Sequence, residues 1–149
     1  MPPEESIERF FAGYAARFNL ALGDATVMDV EGTAAAFADC FVAANPQGVA
    51  CGKNDRRFRT AIPQGWEFYR RIGMTSMEIT SILVTPLDEI HAMARVRWDS
   101  RYRRGDGHEE QIEFDVIYLV QILDGTPKIF AYITGDEEKA LREKGLTPA

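Results

Sequence analysis

The hydrophobic period of the chain changes once, near Met74, and that change limits what it can fold into. Ahead of it, apolar residues recur at three- and four-residue steps. Ile7, Phe10, Phe11, Tyr14 and Phe18 make one stripe on a helix of about sixteen residues, which Gly23-Asp24 ends. A second helix is expected from near Asp29, burying Val30, Ala34, Phe37 and Phe41, until the turn Asn45-Pro46-Gln47-Gly48 stops it. A third helical region is expected from Asp55 to Ile72 with Phe58, Ile62, Trp66 and Tyr69 inside, kinked or split at Pro63-Gln64-Gly65.

After Met74 the period is two. Ser76 to Val84 alternates and is rich in β-branched residues, so it reads as a strand that Pro86 ends. Ile90 to Tyr102 alternates over a long stretch, Gly105-Asp106-Gly107 turns the chain, and Glu110 to Leu123 returns. Asp124-Gly125-Thr126-Pro127 leads to a last strand, Lys128 to Thr134. Asp136 then caps a short helix with Glu137 and Glu138 in its first turn. Helices first and antiparallel strands after predict an α+β fold, with the helices packed on one face of a sheet. At 149 residues the chain is expected to form one domain over 1–149.

The return strand constrains the layers. One face carries Ile112, Phe114, Val116, Tyr118, Val120 and Ile122; the other carries Gln111, Glu113, Asp115, Ile117, Leu119 and Gln121. Neither pattern suits full exposure, so both faces are expected to be covered. Helices can cover one side of so small a sheet, and a second subunit is expected on the other, giving a homodimer through the outer sheet face. The mixed face is expected to turn toward the helices. Asp115 would then be desolvated, with a raised pKa, unless Arg95, Arg97 or Arg101 on the neighbouring strand pairs with it.

Charge and motifs narrow the function. The net charge of −6, from 23 acidic and 17 basic residues, speaks against nucleic acid or an anionic membrane as partner. No apolar run approaches the roughly 18 residues of a membrane span, and the N-terminus lacks the pattern of a signal peptide, so a cytoplasmic location is expected. Cys40 and Cys51 are expected as reduced thiols. There is no clustered metal-ligand motif, GxSxG, P-loop or GxGxxG, so no metal or cofactor is expected. The run Arg101-Tyr102-Arg103-Arg104 lies beside a hairpin turn among acidic residues and reads as a solvated edge.

The order of helices and strands resembles the nuclear transport factor 2-like superfamily, which includes SnoaL-like cyclases and ketosteroid isomerases. The segments that carry the resemblance are Ala34 to Val49 (AAAFADCFVAANPQGV), Ile112 to Val120 (IEFDVIYLV) and Lys128 to Leu146 (KIFAYITGDEEKALREKGL). The resemblance implies a cone-shaped domain in which N-terminal helices and a curved antiparallel sheet enclose a pocket, often in a dimer. In ketosteroid isomerase an Asp base works with an oxyanion hole of Tyr and protonated Asp. By resemblance the protonated Asp falls at Asp115, the Tyr near Tyr14, and the base in an Asp-Pro dipeptide that is Asn45-Pro46 here. Asn cannot take a proton at neutral pH, which leaves Asp39 or a water as the candidate base.

Three functions are open at this point. The first is a domain binding a small apolar or aromatic molecule through Tyr14, Phe18, Asn45, Trp66, Tyr69, Trp98 and Tyr132, with Phe37 beside them. The second is an isomerase, cyclase or hydrolase acting by proton transfer through Asp115 and Asp39. The third is a non-catalytic dimerisation module.

Overall fold

A computed structural model describes residues 4–148. Its elements run α1 (Glu4–Gly23), α2 (Val30–Ala34), β1 (Phe37–Asn45), β2 (Gly48–Lys53), α3 (Arg56–Arg71), β3 (Met74–Pro86), β4 (His91–Arg103), β5 (Glu109–Leu123), β6 (Thr126–Ile133) and α4 (Glu137–Glu143). The six strands form one sheet in the order β2-β1-β6-β5-β4-β3. All neighbours are antiparallel except β1 and β6, which are parallel. The α+β class holds, and the sheet is curved, open and larger than the four strands expected.

The extra hairpin comes out of the segment expected to be the second helix. That helix stops at Ala34, because its last carbonyls are claimed from outside. Asn54 Nδ2 donates to Ala34 O at 2.7 Å and to Phe37 O at 3.0 Å. Lys128 Nζ donates to Ala35 O at 2.6 Å, and Ile129 N to Ala36 O at 2.8 Å. From Phe37 the chain runs as a strand, and Asn45-Pro46-Gln47-Gly48 is a hairpin turn rather than a helix stop. Helix α3, by contrast, runs unbroken through Pro63.

The faces of the sheet are the reverse of the expectation. Ala92, Ala94, Val96, Trp98, Val116, Tyr118 and Val120 are buried and face the helices. The wholly apolar face of β5 is thus the inner one, because it is the face that α1 covers. Ile7 and Phe11 of α1 are fully buried, and the Phe11 ring lies 4.6 Å from that of Tyr118. Asn19 ties α1 to the free edge of β3. Its side chain donates to Met77 O at 2.7 Å and accepts from Met77 N at 2.9 Å, which satisfies an otherwise open edge. Phe37, Phe41 and Phe58 stack at 4.8–5.3 Å and fasten β1 to α3.

Candidate functional site

The curve of the sheet and the helices over it leave a cavity of about 340 Å³. Tyr14 and Phe18 enter from α1, one helical turn apart on the buried stripe, and Tyr69 enters from α3. Trp98, Tyr102, Phe114, Tyr118 and Tyr132 rise from the inner face of the sheet. A second cavity of about 290 Å³ shares Tyr14, Phe18, Phe37, Tyr69 and Tyr132 with the first and extends to Thr33, Phe58 and Trp66.

The polar groups in this aromatic chamber are mostly phenols. Trp98 Nε1 donates to the Tyr118 hydroxyl oxygen at 3.2 Å, so the Tyr118 proton is left to point elsewhere. Tyr14 and Tyr132 find no hydrogen-bond acceptor among the described residues. Burial pushes the Tyr14 phenol up to about 12, the nearby Tyr132 hydroxyl adding to the shift and Arg17 opposing it. Burial likewise raises Tyr118 well above the usual value, helped by Tyr14 and Tyr132 and opposed by the Trp98 hydrogen bond, and it raises Tyr132. All three are therefore neutral at physiological pH and able to donate to a ligand acceptor.

The end of the cavity beneath α4 has a different character. Tyr69 donates its hydroxyl proton to Glu137 Oε1. Burial, then the Glu137 charge and that hydrogen bond, hold the Tyr69 phenol far above its usual range. Burial also brings Tyr102 up to about 12, with Glu137 adding to it and the Ser100 hydrogen bond opposing it.

Of the residues expected at a site, Tyr14, Phe18, Tyr69, Trp98 and Tyr132 all line the first cavity. Trp66, only 3% exposed, reaches the second cavity and not the first. Asn45 lies outside both: it is exposed at the β1–β2 turn, where its Oδ1 accepts from Gln47 N at 2.9 Å. Asp39 is exposed on β1 and lines neither cavity. Asp115 stands on the outer face and accepts from Arg97 at 3.1 Å and Arg95 at 3.2 Å. Its pKa is lowered rather than raised, by Arg97 first and with Arg95 adding, while partial desolvation opposes them. The arginine pairing, not burial among helices, decides its state.

Tyr118, Tyr102, Phe114 and Glu137 were not among the expected site residues, yet they line the cavity. Tyr118 carried a usable signal: a hydroxyl in the middle of a strand face that is otherwise wholly apolar. His91 is on the outer face, its Nδ1 2.9 Å from both Asp88 carboxylate oxygens and its Nε2 3.1 Å from Gln121 Nε2. Among the described residues, no cluster of His, Cys, Asp and Glu could hold a metal ion. Cys40 and Cys51 are free and exposed. No helix among the described residues is long and apolar enough to cross a membrane.

An open, curved sheet with helices over its concave side and a cavity between them defines the class of cystatin-like α+β folds. Residues 4–137 match the family described as NTF2-like protein (DUF6841), and the chain belongs to that family. No curated protein matches the sequence. Among solved structures, the chain is similar to an NTF2-like protein with a cystatin-like fold from Novosphingobium aromaticivorans, at 14% identity and a TM-score of 0.67, covering 97% of this chain and 88% of the other. It is similar to Aln2 from a Streptomyces species at 15% identity and a TM-score of 0.65, covering 96% and 98%. It also resembles a ketosteroid isomerase-like protein from Erwinia carotovora atroseptica at 18% identity and a TM-score of 0.59, covering 88% and 93%. Likeness at these identities establishes the fold alone.

Proposed function

We propose that the protein binds a small apolar or aromatic molecule in the cavity between the helices and the sheet. The observation that carries this reading is a set of neutral phenols, Tyr14, Tyr118 and Tyr132, that line the cavity among aromatic walls with their protons free for a ligand acceptor. These hydroxyls can donate to a ligand oxygen, and a hydrogen bond of that kind contributes about 0.5–1.5 kcal/mol net. Walls that are mostly apolar with a few placed polar groups suit such a ligand. Proton transfer through Asp115 or Asp39 has no part in this reading, since neither lines a cavity.

The reading includes a homodimer through the outer sheet face. Leu83, Val42 and Ile133 are exposed on that side, and Ile117, Leu119 and Phe130 are half-buried. Cross-strand pairing sets Leu119 beside Ala131 and Ile117 beside Ile133, so the apolar side chains form a stripe across neighbouring strands. Such a patch is an association surface. A charge at its centre, Leu119→Arg, is expected to convert the dimer to a monomer in sedimentation velocity; a wild-type monomer would remove this part of the reading.

Tryptophol, a neutral indole alcohol, tests the cavity. At a concentration 100 times its dissociation constant, binding stabilises by about 2.7 kcal/mol, which in a chain of this size raises Tm by about 5–10 °C. Ala140→Trp, which puts a large ring at the cavity lining on α4, is expected to abolish the rise while leaving the unliganded Tm near wild type. An undiminished rise in that variant would place the binding elsewhere.

A further inference from the structure

The cavity lining has a charge pattern that its aromatic content does not require. It includes three carboxylates, Glu113, Asp136 and Glu137, and no Lys, Arg or His. Two of the three are already engaged. Glu113 pairs with Arg97 at 3.2 Å. Asp136 caps α4, its Oδ1 accepting from Lys139 N at 3.1 Å.

Glu137 is different: among the described residues no cation pairs with it, and the one hydrogen bond to its carboxylate comes from a neutral phenol, Tyr69. The ring of Tyr69 lies 5.7 Å from that of Phe18, so two aromatic rings share the carboxylate's end of the cavity. Tyr102 and the thioethers of Met74 and Met77 complete the surroundings. An anion would be repelled. Glu137 is exposed to solvent, so a neutral ligand would leave its charge to water, whereas a cation would pair with it.

We propose that the ligand of this cavity is an organic cation, an amine whose ammonium is held by Glu137 and the faces of Phe18 and Tyr69 while its apolar body lies along the aromatic wall. The ammonium pairs with the exposed carboxylate, and its remaining protons and charge are met by the aromatic rings. Along the wall, the hydroxyl protons of Tyr14, Tyr118 and Tyr132 are available to any carbonyl or hydroxyl oxygen on the body. The inference rests on the reading of the cavity as a ligand site and adds the charge of the ligand to it.

Three probes share one indole body and differ in charge: tryptamine (cation), tryptophol (neutral) and indole-3-acetate (anion). Titration calorimetry at neutral pH and low salt is expected to rank them in that order. Tryptamine should bind on the order of tenfold tighter than tryptophol, from one exposed ion pair together with cation–π contact. In Glu137→Gln the ratio of the two affinities is expected to fall toward one. Added salt should lower the ratio in the wild type only. Tryptophol binding as tightly as tryptamine, or a preference that survives Glu137→Gln, would overturn the cation assignment while leaving the cavity as a site. Binding by none of the three would overturn the cavity reading, and the cation assignment with it.

Discussion

At the scale of single residues, environment rather than residue type separates the groups that can act on a ligand from those that cannot. Asp115 looked chemically suggestive because a carboxylate in a β-strand with apolar neighbours is costly if buried. The cross-strand register sets it opposite Arg97, and Arg95 reaches it as well, so it is an ion-paired surface group. Tyr118 is the opposite case. It lies inside, and its oxygen is the acceptor for the buried Trp98 indole N–H. Tyr118→Phe is therefore expected to destabilise the fold by about 1–2 kcal/mol, the cost of stranding that donor, as read in a denaturant melt. It should also weaken tryptophol binding, because one phenol donor is lost. Unchanged stability would mean that the Trp98 N–H finds another acceptor.

At the scale of elements, the strands after Met74 and the long helices α1 and α3 were legible, because each keeps one hydrophobic period over many residues. The segment Phe37–Asn45 was not. Phe37 and Phe41 are four residues apart, and a step of four returns to the same face in both a helix and a strand. Alanine-rich surroundings then favour the helix on propensity. Tertiary partners decide otherwise: Asn54 and Lys128 claim the carbonyls that would continue α2, and β6 offers a parallel edge. Neither can be seen locally. The inner hairpin packing also needs Gly52, since a Cβ there would stand 2.6 Å from the Phe41 ring.

The joint between α3 and β3 depends on one glycine in the same way. Gly73 has φ of +94°, and a Cβ on it would lie 2.1 Å from Arg103 O. The backbone cannot yield easily, because Arg103 N donates to Gly73 O at 2.8 Å. Gly73→Ala is expected to cost more than the roughly 1 kcal/mol typical of a strained backbone position, through both the left-handed φ and the clash. Thermal unfolding of the variant measures it. A Tm equal to that of the wild type would show that the turn relaxes freely.

At the scale of the whole molecule, the concave side of the sheet gathers all five tyrosines of the chain into one set of buried phenols, and each has a raised pKa. The sign of the linkage is fixed by that direction. In the unfolded chain a phenol loses its proton near pH 10. In the folded chain Tyr14 and Tyr102 hold theirs to about 12. Their contribution to stability is thus complete below about pH 10 and is lost as the pH climbs toward the folded values. Phenolate absorbance should be absent at about pH 10 and appear together with the loss of helical circular dichroism at higher pH. A tyrosine that titrates near its ordinary value in a folded chain would contradict this arrangement.

The cavity between helices and sheet was legible in outline, because the resemblance implied a pocket and the aromatic residues of α1 and β4 pointed toward it. Its charge pattern was not, since Glu137 comes from the far end of the chain. The ligand site itself is tested most directly by its two tryptophans, Trp98 on the first cavity and Trp66 on the second. Each gives one indole N–H resonance in a nitrogen-labelled protein. Titration with unlabelled tryptophol is expected to shift the Trp98 resonance saturably, with the midpoint of the shift matching the calorimetric affinity. Saturable binding that leaves the Trp98 resonance in place would contradict a ligand site in this cavity.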